Sequence, residues 1–387
     1  MKKIGYVLSE FPVLSQTFVG NEMRAMRRQG HEIVPLVLRP SGQQGQAEDA
    51  DLVASAIWLR DIPHADAIRV IGGAVRNTRS WLPFVMRQSG LPRRSLLWSA
   101  ARIAAAAKRA GCTHLHAHFA QASAATAIVA ARLLGISVSF VGHGFDVYAA
   151  PADLPLKLGA ADAAVAVCGD MAADFARLNP AARIETIHCG VDPDKFRPER
   201  RDTSDRTLRL LFIGRLVDSK GLDDLLCAMD LARIDVRLTV VGDGPERAEL
   251  EQLARVLGIE DAVDFVGPKP SAWIAAEAPR HDLLVAPFRE GRNGTRDTGP
   301  VVAKEALAMG LPVLASSFMG LKEIVDDSCG RLFPTRDVRA LAATLTELAG
   351  LSPAARRQLG EAGRRRVLER FTLARQASQL SNLVEAL

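Results

Sequence analysis

The chain has 387 residues, 48% of them hydrophobic and 24% charged, and carries a net charge of +5. That length exceeds one ordinary core and predicts two domains of roughly 150–200 residues each, while the composition excludes a disordered or fibrous protein. No run of about 18 uncharged apolar residues offers a membrane-spanning helix, and five cysteines without CxxC spacing (Cys112, Cys168, Cys189, Cys227, Cys329) predict reduced, mostly buried thiols of a cytoplasmic protein.

The opening MKKIGYVLSEFP has too short an apolar run before Glu10 for a signal peptide and predicts a first strand over Lys3–Leu8. After it, Ser15, Gln16 and Thr17 open a helix, where hydroxyls suit capping, and the three are candidates to face a cleft. A second strand is expected over Glu32–Leu38. From Arg60 to Arg109 ten basic residues stand against only Asp61 and Asp66, beside Trp81-Leu82-Pro83-Phe84 and Leu96-Leu97-Trp98. Two readings fit: exposed aromatics and cations meeting an anionic membrane surface, or a solvated helical face over two core tryptophans. No RNA- or DNA-binding signature accompanies the charge, so nucleic acid is not expected.

Further strands are predicted over Thr113–His118, Ser137–Val141, Ala163–Val167 and Ile184–His188. His114, His116 and His118 alternate along the first of these and so share one face of the sheet. No carboxylate or cysteine stands at a useful spacing from them, so no metal is expected. His118, at the carboxyl end, is the one expected to see a cleft. The next strand runs into Gly142-His143-Gly144-Phe145-Asp146. A histidine between glycines at a strand end is poorly explained as core, which makes His143 a candidate site residue and Asp146 a second. The polar stretch Phe196–Asp205 lacks apolar periodicity and is the expected linker.

The second half predicts strands over Leu208–Ile213, Val236–Val241, Ala262–Val266, Asp282–Ala286 and Pro312–Ala315. Strands alternating with helical patterns imply parallel α/β architecture, and two Rossmann-like halves would bind ligands at the carboxyl ends of their strands. The first strand ends in Gly214-Arg215-Leu216-Val217-Asp218-Ser219-Lys220-Gly221. Two cations there suit an anion, arginine gripping two oxygens and lysine acting as a point charge. Val241-Gly242-Asp243-Gly244-Pro245 lacks the third glycine of a dinucleotide fingerprint and is read mainly as scaffold. The segment Asp297–Leu314, DTGPVVAKEALAMGLPVL, separates Asp297 from Glu305 by seven residues. Gly299 and Pro300 between them start a helix whose free N–H groups favour a phosphate. Helix capping is the plainer role for Asp297. Arg292 and Arg296, in the basic loop before it, could meet a donor or an anionic acceptor.

These segments resemble the retaining GT-B glycosyltransferases of the glycogen-synthase-like (group 1) superfamily. Asp297 stands where most members carry the first Glu of E-x7-E, and Arg215 and Lys220 match the turn G-R-L-x-x-x-K-G. Ser15–Glu22 and the H-G-x-D-x-Y of His143–Tyr148 are similar to the subgroup of colanic-acid and exopolysaccharide glycosyltransferases. The resemblance implies a GT-B fold with an acceptor domain over residues 1–198 and a nucleotide-sugar domain over 206–369. The final helix, about 370–387, would pack back on the first domain. It implies that Arg215 and Lys220 hold the donor diphosphate, with Thr298, Gly299, Pro300 and Val301 at the helix start. Gly267 would lie by the base, Glu305 would take the ribose, and Asp297 and His143 the transferred sugar. The expected co-substrate is a UDP- or GDP-sugar, with no metal and no resident cofactor. The acceptor would be a glycan or lipid-linked hydroxyl, at the cytoplasmic membrane face. A silent sugar-nucleotide- or membrane-binding scaffold, an epimerase and a phosphorylase are the rivals.

Overall fold

A computed structural model describes residues 1–13, 16–42, 45–199 and 207–387. The chain divides into two units, Met1–His188 with Leu373–Leu387, and Cys189–Thr372. The first holds strands β1 (Lys3–Phe11), β2 (Glu32–Pro40), β3 (Ile57–Trp58), β4 (His114–His118), β5 (Ser137–Val141), β6 (Ala163–Ala166) and β7 (Ile184–Thr186). The second holds β8 (Leu208–Ile213), β9 (Val236–Val241), β10 (Val263–Gly267), β11 (Leu283–Ala286), β12 (Val313–Ser316) and β13 (Gly330–Phe333). Each unit makes one sheet, ordered β3-β2-β1-β4-β5-β6-β7 and β10-β9-β8-β11-β12-β13. Every strand pair is parallel.

The order explains where chemistry can sit. From β1 the chain crosses to β2 on one side and later to β4 on the other, and β8 stands likewise between β9 and β11. Loops leaving the carboxyl ends at these reversals diverge and open a crevice. Parallel pairing also needs helical crossovers that cover both faces, so the strands are continuous buried runs. In β4 even the three histidines are buried. Strands β3 and β13 escape sequence reading for local reasons. Two residues carry no period, and Gly330 opens β13 because a Cβ there would collide with the Val313 carbonyl.

The boundary between units differs from the expected residue 198. Val191 N donates to Phe371 O at 2.9 Å and Phe196 joins the second core, so this stretch is packed structure rather than linker. Arg200–Asp205 of the expected linker lie outside the described residues. Residues 373–385 form a helix that lies against the helix Thr17–Arg28 of the first unit. There Gln376 Nε2 donates to Glu22 Oε2 at 2.7 Å and Ser381 Oγ meets His31 Nε2 at 2.8 Å.

Two aromatic residues of the basic region are core, and Trp98 is half-buried. Trp81 and Phe84 are buried, Trp81 donating to Ala74 O at 3.3 Å, and Trp98 stacks on His64. The exposed apolar side chains nearby are instead Ile68, Val75, Leu82 and Met86.

Candidate functional site

In the second unit, backbone packing builds the turn after β8. Gly214 N donates to Val241 O and Leu216 N to Asp243 O, both at 3.0 Å, which docks this turn against the one after β9. Gly242 has φ +139°, and a Cβ there would collide with the Gly214 carbonyl, so that glycine serves the neighbouring turn. Gly221, at φ +63°, is pressed in the same way against the Pro287 carbonyl at the end of β11. Lys220 is thereby fixed between β8 and β11. Its ammonium pairs with Asp297 and lies 3.9 Å from the centre of the Phe288 ring.

Arg215 is exposed, and its side chain has no partner among the described residues. Thr298 is buried, and its carbonyl accepts from Gly320 N at 3.1 Å, tying the turn to the segment after β12. The helix Val301–Ala308 starts directly after Pro300 and has no side-chain cap. Asp297 therefore does not cap it; the distance along the chain is too great, and Lys220 is its partner. Glu305 is half-buried with no side-chain hydrogen bond among the described residues. Burial pushes its carboxyl up to about 7, with Lys195 pulling the other way. Gly267 has φ +73°, and a Cβ there would sit in ordinary contact with Arg247 Nη1 at 3.8 Å. In the basic loop, Arg289 is buried and bonded to Asp224 at 2.5 Å and Asp223 at 2.7 Å, so it braces the helix Leu222–Ala232 that follows Lys220. Arg296 pairs with Glu290 at 2.9 Å, and Arg292 projects outward with its backbone N on Asp218.

The first unit concentrates its polar groups differently. Glu22, from the helix Thr17–Arg28, reaches β4: its Oε1 lies 3.1 Å from Tyr6 Oη, 3.1 Å from His118 Nε2 and 3.5 Å from His116 Nε2. His118 Nδ1 lies 3.3 Å from His143 Nε2. His116 Nδ1 and His114 Nε2 both meet Ser139 Oγ at 2.8 Å. Burial alone would raise the Glu22 carboxyl, but His118, His116 and Tyr6 outweigh it and hold the pKa down at about 2. Burial pushes His143 down to about 3 and His116 to about 4, so both rings are neutral. Asp146 is fully buried and accepts from Ala120 N at 2.6 Å and His143 N at 3.0 Å. Burial pushes it up to about 6 against those bonds. Asp146 thus staples the loops after β4 and β5 and presents no open face, contrary to the cleft-facing role expected of it.

His118 is also buried and reaches outward only through His143. Gln16 and Thr17 are half-buried at the start of their helix, which has no side-chain cap, so the expected hydroxyl cap is not made there. Ser15 lies outside the described residues. Glu22, His116 and His118 could together hold a metal ion, since one ligand atom from each lies within 4.8 Å of the others. The carboxylate that no sequence spacing suggested is Glu22, 96 positions from His118. Local sequence pattern cannot reveal it.

Two family profiles match in tandem: "Glycosyltransferase Family 4" over residues 15–195 and "Glycosyl transferases group 1" over residues 207–350. The chain belongs to the group 1 glycosyltransferases. WcaL of Escherichia coli K12, provisionally described as a colanic acid biosynthesis glycosyltransferase, is 26% identical over 414 aligned positions covering 100% of both chains. A GDP-mannose-dependent phosphatidylinositol monomannoside mannosyltransferase of Mycolicibacterium smegmatis is 30% identical over 53% of this chain and 57% of its own. Among solved structures, Anabaena HepE in complex with UDP superposes with a TM-score of 0.74 at 16% identity, covering 100% of each chain. The fold of this glycosyltransferase is accordingly GT-B, with two Rossmann-like domains of parallel sheet. No helix among the described residues is long and apolar enough to cross a membrane.

Proposed function

We propose that this glycosyltransferase moves a sugar from a UDP- or GDP-linked donor to an acceptor hydroxyl, with retention of anomeric configuration and without a metal ion. The observation that carries the reading is the ion pair between Lys220 and Asp297, 77 positions apart, which joins the two motifs of the second unit. As the glycosidic bond breaks, negative charge builds on the departing diphosphate. Fixed cations stabilise it more than they stabilise the bound donor, which lowers the barrier. Lys220 is already in place, and Arg215 has no competing partner. Phosphate oxygens exchange with Asp297 on the ammonium, and the released carboxylate takes a hydroxyl of the sugar.

The start of the helix at Val301, with Thr298, Gly299 and Pro300, adds amide donors and a positive dipole end. Glu305, with unused acceptor capacity, takes the ribose hydroxyls, and Gly267 lies by the base. His143 of the first unit contacts the transferred sugar. The two nucleotides stand together because HepE is described with UDP and the mannosyltransferase is described as GDP-mannose-dependent.

The full-length similarity to WcaL supports a role in exopolysaccharide or glycolipid synthesis, with a glycan or lipid-linked acceptor. Ile68, Val75, Leu82 and Met86, exposed among the exposed Arg69, Arg79, Arg87, Arg93 and Arg94, support peripheral attachment to the inner membrane face. The deciding experiment presents the purified protein with a panel of UDP- and GDP-sugars and scores binding, slow hydrolysis and the anomeric configuration released. Binding of none of them removes the enzymatic reading. Binding without any turnover, acceptor included, leaves a silent scaffold.

A further inference from the structure

We propose that Glu22 is a positioning residue: acting through His118, it fixes the proton of His143 on Nε2 and leaves Nδ1 as an acceptor for a hydroxyl of the bound sugar. The proposal takes His143 as the sugar contact from the reading above, but the orientation it describes belongs to the first unit alone.

With His118 neutral, the chain of donors and acceptors has one consistent solution. A carboxylate only accepts, so His118 Nε2, 3.1 Å from Glu22 Oε1, carries a hydrogen. A neutral imidazole has one N–H, so His118 Nδ1 is then an acceptor. Across 3.3 Å it faces His143 Nε2, which must donate. His143 Nδ1 is left with its lone pair and no partner among the described residues. The carboxylate is itself held rigidly, since Tyr6 donates to it at 3.1 Å and Gln376 at 2.7 Å.

The rings have little freedom to turn. The His118 and His143 rings are nearly parallel, their planes 11° apart and their centroids 5.5 Å apart, so the facing nitrogens meet edge to edge. Phe18 and Phe119 each lie 4.6 Å from the His143 ring, and Asp146 accepts from the His143 backbone N. Orienting a ring by a hydrogen bond to its far nitrogen is a general means of choosing a tautomer. The outcome has chemical meaning here. An acceptor nitrogen holds a sugar hydroxyl without setting a positive charge beside an anomeric carbon that becomes electron-poor.

The test is the protonation pattern of His143 in protein labelled with 15N-histidine, read by long-range 15N–1H correlation without any substrate. The wild type is expected to show a protonated Nε2 and a bare Nδ1. Glu22→Gln keeps an acceptor oxygen and should keep that pattern, whereas Glu22→Leu should mix or reverse it. Should the leucine variant fail to fold, His118→Phe breaks the same chain from its other member. Ser139→Ala, which touches His114 and His116 only, should leave the His143 signals in place. With an active donor, loss of the chain should lower kcat about tenfold to a hundredfold, the cost of a misdirected buried hydrogen bond. Donor KM should stay within a few-fold, and Glu22→Gln should recover most of the rate. A wild-type His143 protonated at Nδ1 overturns the proposal. So does a leucine variant with unchanged pattern and rate, or stoichiometric zinc or another divalent ion on Glu22, His116 and His118. An intact pattern in a protein that binds no sugar nucleotide would instead count against the proposed function.

Discussion

The two units share one architecture and deploy their charges in opposite ways. Lys220 and Asp297 pair with side chains still 18% and 23% exposed, beside an exposed Arg215 and a half-buried Glu305. Glu22, His114, His116, His118, His143 and Asp146 are all buried, and each holds a fixed partner. A charge that solvent can reach exchanges its partner when a better one arrives, which is what the proposed function asks of the second unit. A charge sealed among rigid donors cannot exchange and instead imposes orientation. The contrast teaches that similar polar residues on one sheet topology acquire different duties from burial alone.

The harshest test of the contrast is Lys220→Ala. If the exchangeable cation stabilises the departing diphosphate, turnover should fall by roughly a hundredfold to a thousandfold, the usual loss of one charge-stabilising group. Lys108→Ala, an exposed lysine at the end of a first-unit helix, should be neutral. Equal turnover in the two variants would place the diphosphate elsewhere.

Glu305 gives a test without substrate. Its carboxyl takes a proton at about 7 in the folded protein against 4.5 for the free group. Between those values the folded state binds more proton than the unfolded chain, so the contribution of Glu305 to stability declines as pH rises. The whole change amounts to at most about 3 kcal/mol. Glu305→Gln removes it, so the wild type should lose ground to the variant between pH 5 and pH 8 in urea denaturation. Asp146 titrates with the same sign but is common to both proteins and cancels in the difference. Parallel pH curves would mean that Glu305 is better solvated than its position indicates, and would weaken its readiness for ribose hydroxyls.

How legible each unit is in sequence follows from the same contrast. The second unit's motifs are local: Arg215 and Lys220 share one turn, Asp297 and Glu305 one segment, and each sits at a strand end that periodicity locates. The strands were legible because buried parallel strands are apolar runs bounded by turns. Glu22 was not read as the partner of His118, because a contact across 96 positions leaves no spacing signal. Gln376, 354 positions from Glu22, is further still from any pattern. Trp81 and Phe84 stayed open between two readings for a related reason: composition reports which side chains lie near cations, not which face of the helix they occupy.

Asp297→Ala separates exchange from simple structural support. Removing the carboxylate frees Lys220, so UDP or GDP should bind no worse than to the wild type. Transfer should still drop roughly a hundredfold, because a sugar contact made in the transition state is gone. A loss of nucleotide binding would mean that Asp297 serves to hold Lys220 in position.

The smallest effect concerns the outer face of the first unit. Arg79, Arg87, Arg93 and Arg94 are exposed there, near Leu82 and Met86, while Arg357 and Arg365 are exposed on a second-unit helix. An arginine near an anionic bilayer contributes about 1 kcal/mol, so each reversal to glutamate, which also adds repulsion, should weaken vesicle binding by about fivefold or more. The same reversals at Arg357 and Arg365 should leave binding unchanged, which excludes a mere effect of net charge. Turnover on a water-soluble acceptor should be untouched by any of them, because these side chains lie outside both charge clusters. Flotation with phosphatidylglycerol vesicles reads the difference. If binding responds equally to reversals on either unit, or not at all to lipid charge, the apolar side chains of the first unit face water and the membrane assignment falls.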